Sequence, residues 1–295
     1  MQRFLDPTVL AGISSLDLLA KTVVDGFVAG LHRSPDFGFS QEFAEYRAYV
    51  PGDDLRHVDW NLFARTERCY LKRYRGETNS QLAVLLDASN SMQYTSGPPK
   101  KMDYARFIAA SLFYLAIKNQ RDAAGLIVFD DEVRDYVRPS TRQGQLARLF
   151  AGLERAEPHA RTDFGKPLRH FQELLHRRGI AIVISDFYED PETIVRTIEP
   201  LRFHGNDVVL FHILDPQEIR PILKGPAVLV DLETDQEIEV IPEYTKTIYR
   251  AKMDAHIEQL RSRTRAAGMD YQLLVTDQPL DAALREYLSL RQAGN

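Results

Sequence analysis

The chain has 295 residues, of which 44% are hydrophobic, 27% charged and 10% aromatic, with a formal net charge of -5. These values fit a globular α/β unit with additions, and they exclude a disordered or membrane-rich composition and the basic footprint of nonspecific nucleic-acid binding. The single cysteine, Cys69, excludes an internal disulfide and points to a reducing cytoplasm.

In chain order, residues 1–35 read as a helical extension. Arg3, Asp6, Asp17 and Lys21 interrupt its apolar stretches, so it has neither a signal-peptide core nor the roughly 20 apolar residues of a membrane helix. Residues 36–80 show no helical periodicity and carry Val50-Pro51-Gly52-Asp53, where Pro and Gly suit a type II turn. They read as a β-rich accessory segment, with Trp60 as a largely buried anchor and Lys72–Arg75 as one exposed strand edge.

Residues 81–215 form the core by this reading. The apolar run 82–86 is a strand, and Lys101–Gln120 is a helix with apolar positions Tyr104, Phe107, Ile108, Leu112, Leu115 and Ala116. Strands Ala123–Phe129 and Val133–Val137 flank the Asp130-Asp131 turn, and helices Gln145–Leu153 and Phe164–Leu175 follow. Strand Ile180–Ser185, helix Pro191–Phe203 and strand Val208–Leu214 complete this region. Pro216, Pro221, Pro226 and Pro242 then interrupt the alternation, and Ala227–Val230 with Glu237–Ile241 form an inserted hairpin over 216–244, packing with the accessory segment. Residues 245–295 finish the core with helix Thr245–Ala267, strand Tyr271–Val275 and helix Leu280–Leu290. Near-continuous Val/Ile/Leu strands alternating with helices predict a doubly wound, mostly parallel sheet covered on both faces.

Asp87-Ala88-Ser89-Asn90-Ser91 leaves the first core strand and places one carboxylate and two hydroxyls on a turn. Hard cations such as Mg²⁺ take oxygen ligands, and neutral hydroxyls leave the ion charge for an incoming acidic group. In a doubly wound sheet, ligands bind beyond the carboxyl ends of the strands where strand order reverses. Asp186 follows Ile180–Ser185, and Thr162 opens the helix before that strand, so Asp87, Ser89, Ser91, Thr162 and Asp186 are the candidate metal ligands for Mg²⁺ or Mn²⁺. The plain alternative is that Asp and Ser after a strand cap a helix or make a turn.

Asp-x-Ser-x-Ser, a distant Thr and a later Ser-Asp resemble the metal-ion-dependent adhesion site (MIDAS) of von Willebrand factor A domains. The run Arg47-Ala48-Tyr49-Val50-Pro51-Gly52-Asp53-Asp54-Leu55-Arg56-His57-Val58-Asp59-Trp60, followed by Ala64-Arg65, is similar to the signature of bacterial domain-of-unknown-function family 58. Gly38-Phe39-Ser40, Glu77, Arg178-Gly179 and Leu214-Asp215-Pro216 extend the resemblance over about residues 20–290. It implies a von Willebrand factor A-like fold, direct metal contact by Ser89, Ser91 and Thr162, and contact by Asp87 and Asp186 directly or through water. It also implies association with a MoxR-type AAA+ ATPase. Thr162 follows Arg161 where adhesion domains commonly have Gly, and the membrane helices many members carry ahead of the domain are not seen, so the chain reads as a soluble form.

The functional expectation is a non-enzymatic, cytoplasmic interaction module whose metal binds an acidic side chain of a partner, either a MoxR-type ATPase or a client protein. No nucleic acid and no membrane insertion are expected. Arg47, Arg56 and Arg65 balance Asp53, Asp54 and Asp59, which fits either internal ion pairs or partner contact. Gly97-Pro98-Pro99-Lys100-Lys101 lacks the pattern of a P-loop, no Gly-x-Ser-x-Gly elbow occurs, and the histidines show no metal-ligand spacing. The alternative is a Mg²⁺-dependent phosphatase or hydrolase with Asp87 as nucleophile, although Ser89 stands where such an enzyme needs a second acid.

Overall fold

The computed structural model describes residues 6–31, 43–49, 58, 60–66, 68–74, 81–159, 164–167, 171, 178–203, 205–223, 225–230 and 237–293. The chain divides into two units, Val28–Asn79 and the remainder.

In the smaller unit, strands β1 (Phe43–Ala48) and β2 (Tyr70–Tyr74) pair antiparallel, with Arg47 opposite Leu71. The Tyr49 N–H donates to the Cys69 carbonyl at 3.0 Å and extends the ladder. A seven-residue helix, Trp60–Thr66, lies between the strands in sequence, so the segment is not purely β. Trp60 corrects the expectation of a buried anchor, since it is 56% exposed. It occupies the first helical position and meets Phe63 edge-on at 6.1 Å, an i,i+3 pair on the helix surface. The turn at 50–53 and most of the Arg/Asp-rich run lie outside the described residues.

The larger unit is built on six strands: β3 (Gln81–Asp87), β4 (Ala123–Phe129), β5 (Val133–Ser140), β6 (Ile180–Ser185), β7 (Asp207–Leu214) and, later in the chain, β10 (Asp270–Val275). Their spatial order is β10-β7-β6-β3-β4-β5. All neighbours run parallel except β4 and β5, which pair antiparallel at the edge. From β3 the chain moves outward to β4 and β5, then returns to the other side of β3 as β6, with Leu86 opposite Ile184. Strand order therefore reverses between β3 and β6, as the doubly wound reading requires.

Both faces of the sheet are covered, which explains why its strands lack polar alternation. Leu85, Ile127, Val183 and Leu210 share a core with Ile194 of helix Pro191–Ile198 and Leu260 of helix Arg250–Ala266. The intervening residues, including Val84, Leu126 and Val209, point the other way and are buried where helices Lys101–Tyr114, Gln145–Arg155 and Asp281–Ala293 lie.

Three predicted helices are interrupted. Lys101–Tyr114 continues as a wide turn over Leu115–Asn119, closed by the Gln120 N–H to the Leu115 carbonyl at 3.1 Å. Pro200 has no N–H to continue the helix Pro191–Ile198, and a separate turn follows at Pro200–Phe203. The long C-terminal helix opens with Pro242–Tyr244 and a second wide turn, Thr245–Tyr249, before Arg250–Ala266. The inserted hairpin forms as β8 (Ala227–Val230) and β9 (Glu237–Val240), antiparallel with Leu229 opposite Ile238.

Candidate functional site

Asp87 ends β3, and Ser185 ends β6 beside it, so the reversal of strand order brings their side chains together. Asp87 is fully buried. Its Oδ1 accepts the Ser89 N–H at 2.8 Å, and its Oδ2 accepts the Ser185 hydroxyl at 2.6 Å. Burial, and then the charge of Asp186, push the Asp87 carboxyl up to about 7, against the hydrogen bonds from Ser185 and Ser89.

The turn after β3 is rigid. The Ala88 N–H donates to the Phe129 carbonyl at 2.7 Å, and Ser89 forms an isolated parallel bridge with His159. Ser89 and Ser91 are buried, with their hydroxyl oxygens 3.0 Å apart. The structure thus brings together Asp87, Ser89 and Ser91, with Asp186 near enough for its charge to act on Asp87. Thr162 lies outside the described residues, although the chain three positions earlier is pinned by the His159 N–H to the Ala88 carbonyl at 2.8 Å.

Asp186 opens the loop after β6. Phe187 next to it has φ 46°, a left-handed conformation that is unusual for a bulky residue. Three contacts hold it: its N–H donates to Ser185 Oγ at 3.1 Å, its carbonyl lies 2.8 Å from His256 Nε2, and its ring stacks on Phe164 at 5.6 Å. His212 on β7 packs edge-on against the Phe187 ring, and its Nδ1 lies 2.7 Å from the Tyr271 hydroxyl. Burial lowers the His212 pKa to about 3, so this ring is neutral.

The residue that sequence reasoning missed is Lys101. It begins the helix after the Gly97–Lys100 loop and is fully buried. Its ammonium donates to Asp186 Oδ2 at 2.8 Å and to Glu218 Oε1 at 2.6 Å. Burial disfavours this charge, but Asp186 and Glu218 outweigh it and hold the Lys101 pKa above its ordinary value. Glu218 belongs to the capping box of the helix Pro216–Ile219, where its Oε2 accepts the Asp215 N–H at 2.8 Å. Asp215 in turn accepts the Ser96 N–H at 2.8 Å and the Ser96 hydroxyl at 2.6 Å. One network therefore joins the loops after β3, β6 and β7.

The donor set fits a hard cation. Mg²⁺ holds oxygens at about 2.0–2.1 Å in an octahedron, which places adjacent ligands about 3 Å apart. The Ser89–Ser91 separation of 3.0 Å, a hydrogen bond as it stands, is also that edge. No group of three or more His, Cys, Asp and Glu that could hold a metal ion occurs among the described residues, so such a site depends on hydroxyls.

The model of the family described as "Protein of unknown function DUF58" matches residues 45–277. Uncharacterised proteins of Mycobacterium bovis and Mycobacterium tuberculosis are 26% identical over 98% of this chain and 92% of theirs. Among solved structures, an aerotolerance-related membrane protein from Bacteroides fragilis is similar with a TM-score of 0.51 at 13% identity, over 72% of this chain and 99% of that one. The BatB protein from Bacteroides thetaiotaomicron matches at 0.49 and 15% identity, over 73% and 100%. The SpRpn10 VWA domain matches at 0.45 and 13% identity, over 70% and 94%. The fold is α/β, a doubly wound and mostly parallel sheet, and it is similar to that of the Bacteroides fragilis protein.

Proposed function

This chain belongs to the DUF58 family, and from that premise we propose that it is a non-enzymatic protein-interaction module whose recognition depends on Mg²⁺ or Mn²⁺. The observation that carries the reading is the buried pair of hydroxyls, Ser89 and Ser91, beside Asp87 at the reversal of strand order. Asp87, Ser89, Ser91, Thr162 and Asp186 are the residues that would hold the ion. A bound ion would supply an open coordination position for a partner carboxylate, a charge-assisted contact in a partly desolvated crevice. The chain contributes rigidity: Asp87 fixes the turn through the Ser89 N–H, and Ser185 fixes Asp87.

The partner in this reading is a MoxR-type AAA+ ATPase or a client protein in protein remodelling, encountered in the cytoplasm. No helix among the described residues is long and apolar enough to cross a membrane. Binding to a MoxR-type ATPase, or to a client recovered by pull-down, is measured with Mg²⁺, with chelator, and with Asp87→Ala. Affinity is expected only with Mg²⁺ and wild-type protein, and the loss should lie more in faster dissociation than in slower association. Equal affinity in all three conditions would overturn the metal-dependent reading.

A further inference from the structure

Lys101 is placed as no ordinary surface lysine is. Its ammonium is enclosed by two carboxylates, Asp186 and Glu218, and by two aromatic rings, Tyr188 at 5.0 Å and Tyr94 at 5.8 Å from their centroids. Its backbone is fixed as well, with the Lys101 N–H donating to the Tyr94 carbonyl at 3.2 Å. An ammonium is a compact point charge with three donors. Here it occupies Asp186, one of the two carboxylates available to a cation at the Ser89–Ser91 turn.

We infer that Lys101 is a built-in cation that sets the selectivity of this site against divalent metal ions. The inference rests on the metal reading given above. An ion using Asp186, directly or through water, must share that carboxylate with a fixed positive charge at 2.8 Å, inside a region with little solvent to screen the repulsion. Asp87 alone supplies the remaining carboxylate, since Ser89 and Ser91 are neutral. Metal held by the chain alone is therefore weak, and a partner carboxylate that adds negative charge strengthens it. By reciprocity the metal strengthens the partner to the same degree.

The test is calorimetric titration of the full chain with Mn²⁺ alone. Lys101→Met by itself strands two buried carboxylates and can fail to fold, so the decisive variant is Lys101→Met/Glu218→Gln. It removes the ammonium and the second carboxylate together and leaves net charge unchanged, and circular dichroism verifies its fold. The expected result is Mn²⁺ uptake at least about tenfold tighter than wild type. Glu218→Gln alone leaves Lys101 to Asp186, and its uptake should equal or fall below that of wild type. Wild-type uptake that is unchanged or weakened in the double variant overturns the role of Lys101 and leaves the metal reading standing. Uptake by neither protein overturns both, and tighter uptake in Glu218→Gln alone overturns the assignment to Lys101.

Discussion

A carboxylate without solvent is tolerable only when its charge is shared or its proton is kept, and Asp87 and Asp186 solve this differently. Asp186 has the Lys101 ammonium, whereas Asp87 has hydrogen bonds and a pKa pushed up to about 7. Because its folded pKa exceeds the unfolded value, the Asp87 contribution to stability is complete below about pH 4 and is lost as pH rises through about 7. His212 acts in the opposite sense, since its folded pKa of about 3 gives a contribution present above about 6.5 and lost as pH falls toward 3. Comparing Asp87→Asn with wild type cancels the histidine. In chelator, the melting temperature of Asp87→Asn relative to wild type should rise between pH 4 and pH 8, and a constant difference would contradict the buried-carboxylate account. For Lys101→Ala, loss of one member of a buried ion network leaves Asp186 and Glu218 uncompensated and should cost about 3–5 kcal/mol in denaturant unfolding. A loss under 1 kcal/mol would show that solvent reaches the pair. The positions of Asp87, Ser89, Ser91 and Asp186 at the carboxyl ends of β3 and β6 were legible because the apolar runs of those strands are plain. Lys101 was not, because its partners are 85 and 117 residues away, and a lysine in a first helical turn ordinarily reads as solvated.

At the level of elements, legibility followed burial. Strands enclosed on both faces are uninterrupted apolar runs, and β4 and β6 have the predicted bounds Ala123–Phe129 and Ile180–Ser185. The edge strand β5 runs three residues further than its apolar pattern, to Ser140, because only an edge accommodates Pro139, which has no N–H to donate. The wide turn at Leu115–Asn119 left no trace, since Leu115 and Ala116 keep the helical apolar pattern across it. The glycines show how tightly these strands are set. A Cβ on Gly179, just before β6, would fall on the Gln81 carbonyl that begins β3, while one on Gly97 would meet open space. Gly179→Ala must push the two central strands apart and should cost about 1–3 kcal/mol, with Gly97→Ala near neutral. Denaturant midpoints for the two variants check this, and equal midpoints would mean that the β3–β6 register is not fixed at Gly179.

Across the whole molecule, the network joins the ends of β3, β6 and β7 into a face built for holding a charge, with little in it that can move one. A phosphatase reading needs an accessible carboxylate nucleophile and a second group to exchange protons with the leaving oxygen. Asp87 is fully buried, and its two oxygens accept the Ser89 N–H and the Ser185 hydroxyl. Two residues on, where the acid would stand, is Ser89, which has no ionisable proton near neutral pH. Of the other carboxylates in the network, Asp186 and Glu218 are both bound to the Lys101 ammonium, so releasing either would break a buried pair, and Asp215 accepts from Ser96 and the Gln217 N–H. Neutral His212, beside Ser185 in the sheet, is fully buried with Nδ1 engaged by the Tyr271 hydroxyl and offers no substitute. With Mg²⁺ or Mn²⁺ supplied, the protein should therefore leave p-nitrophenyl phosphate and ATP at the background rate, and Asp87→Asn should give the same trace. Release of phosphate that needs the metal and disappears in Asp87→Asn would make Asp87 a nucleophile, and the interaction module would give way to the hydrolase.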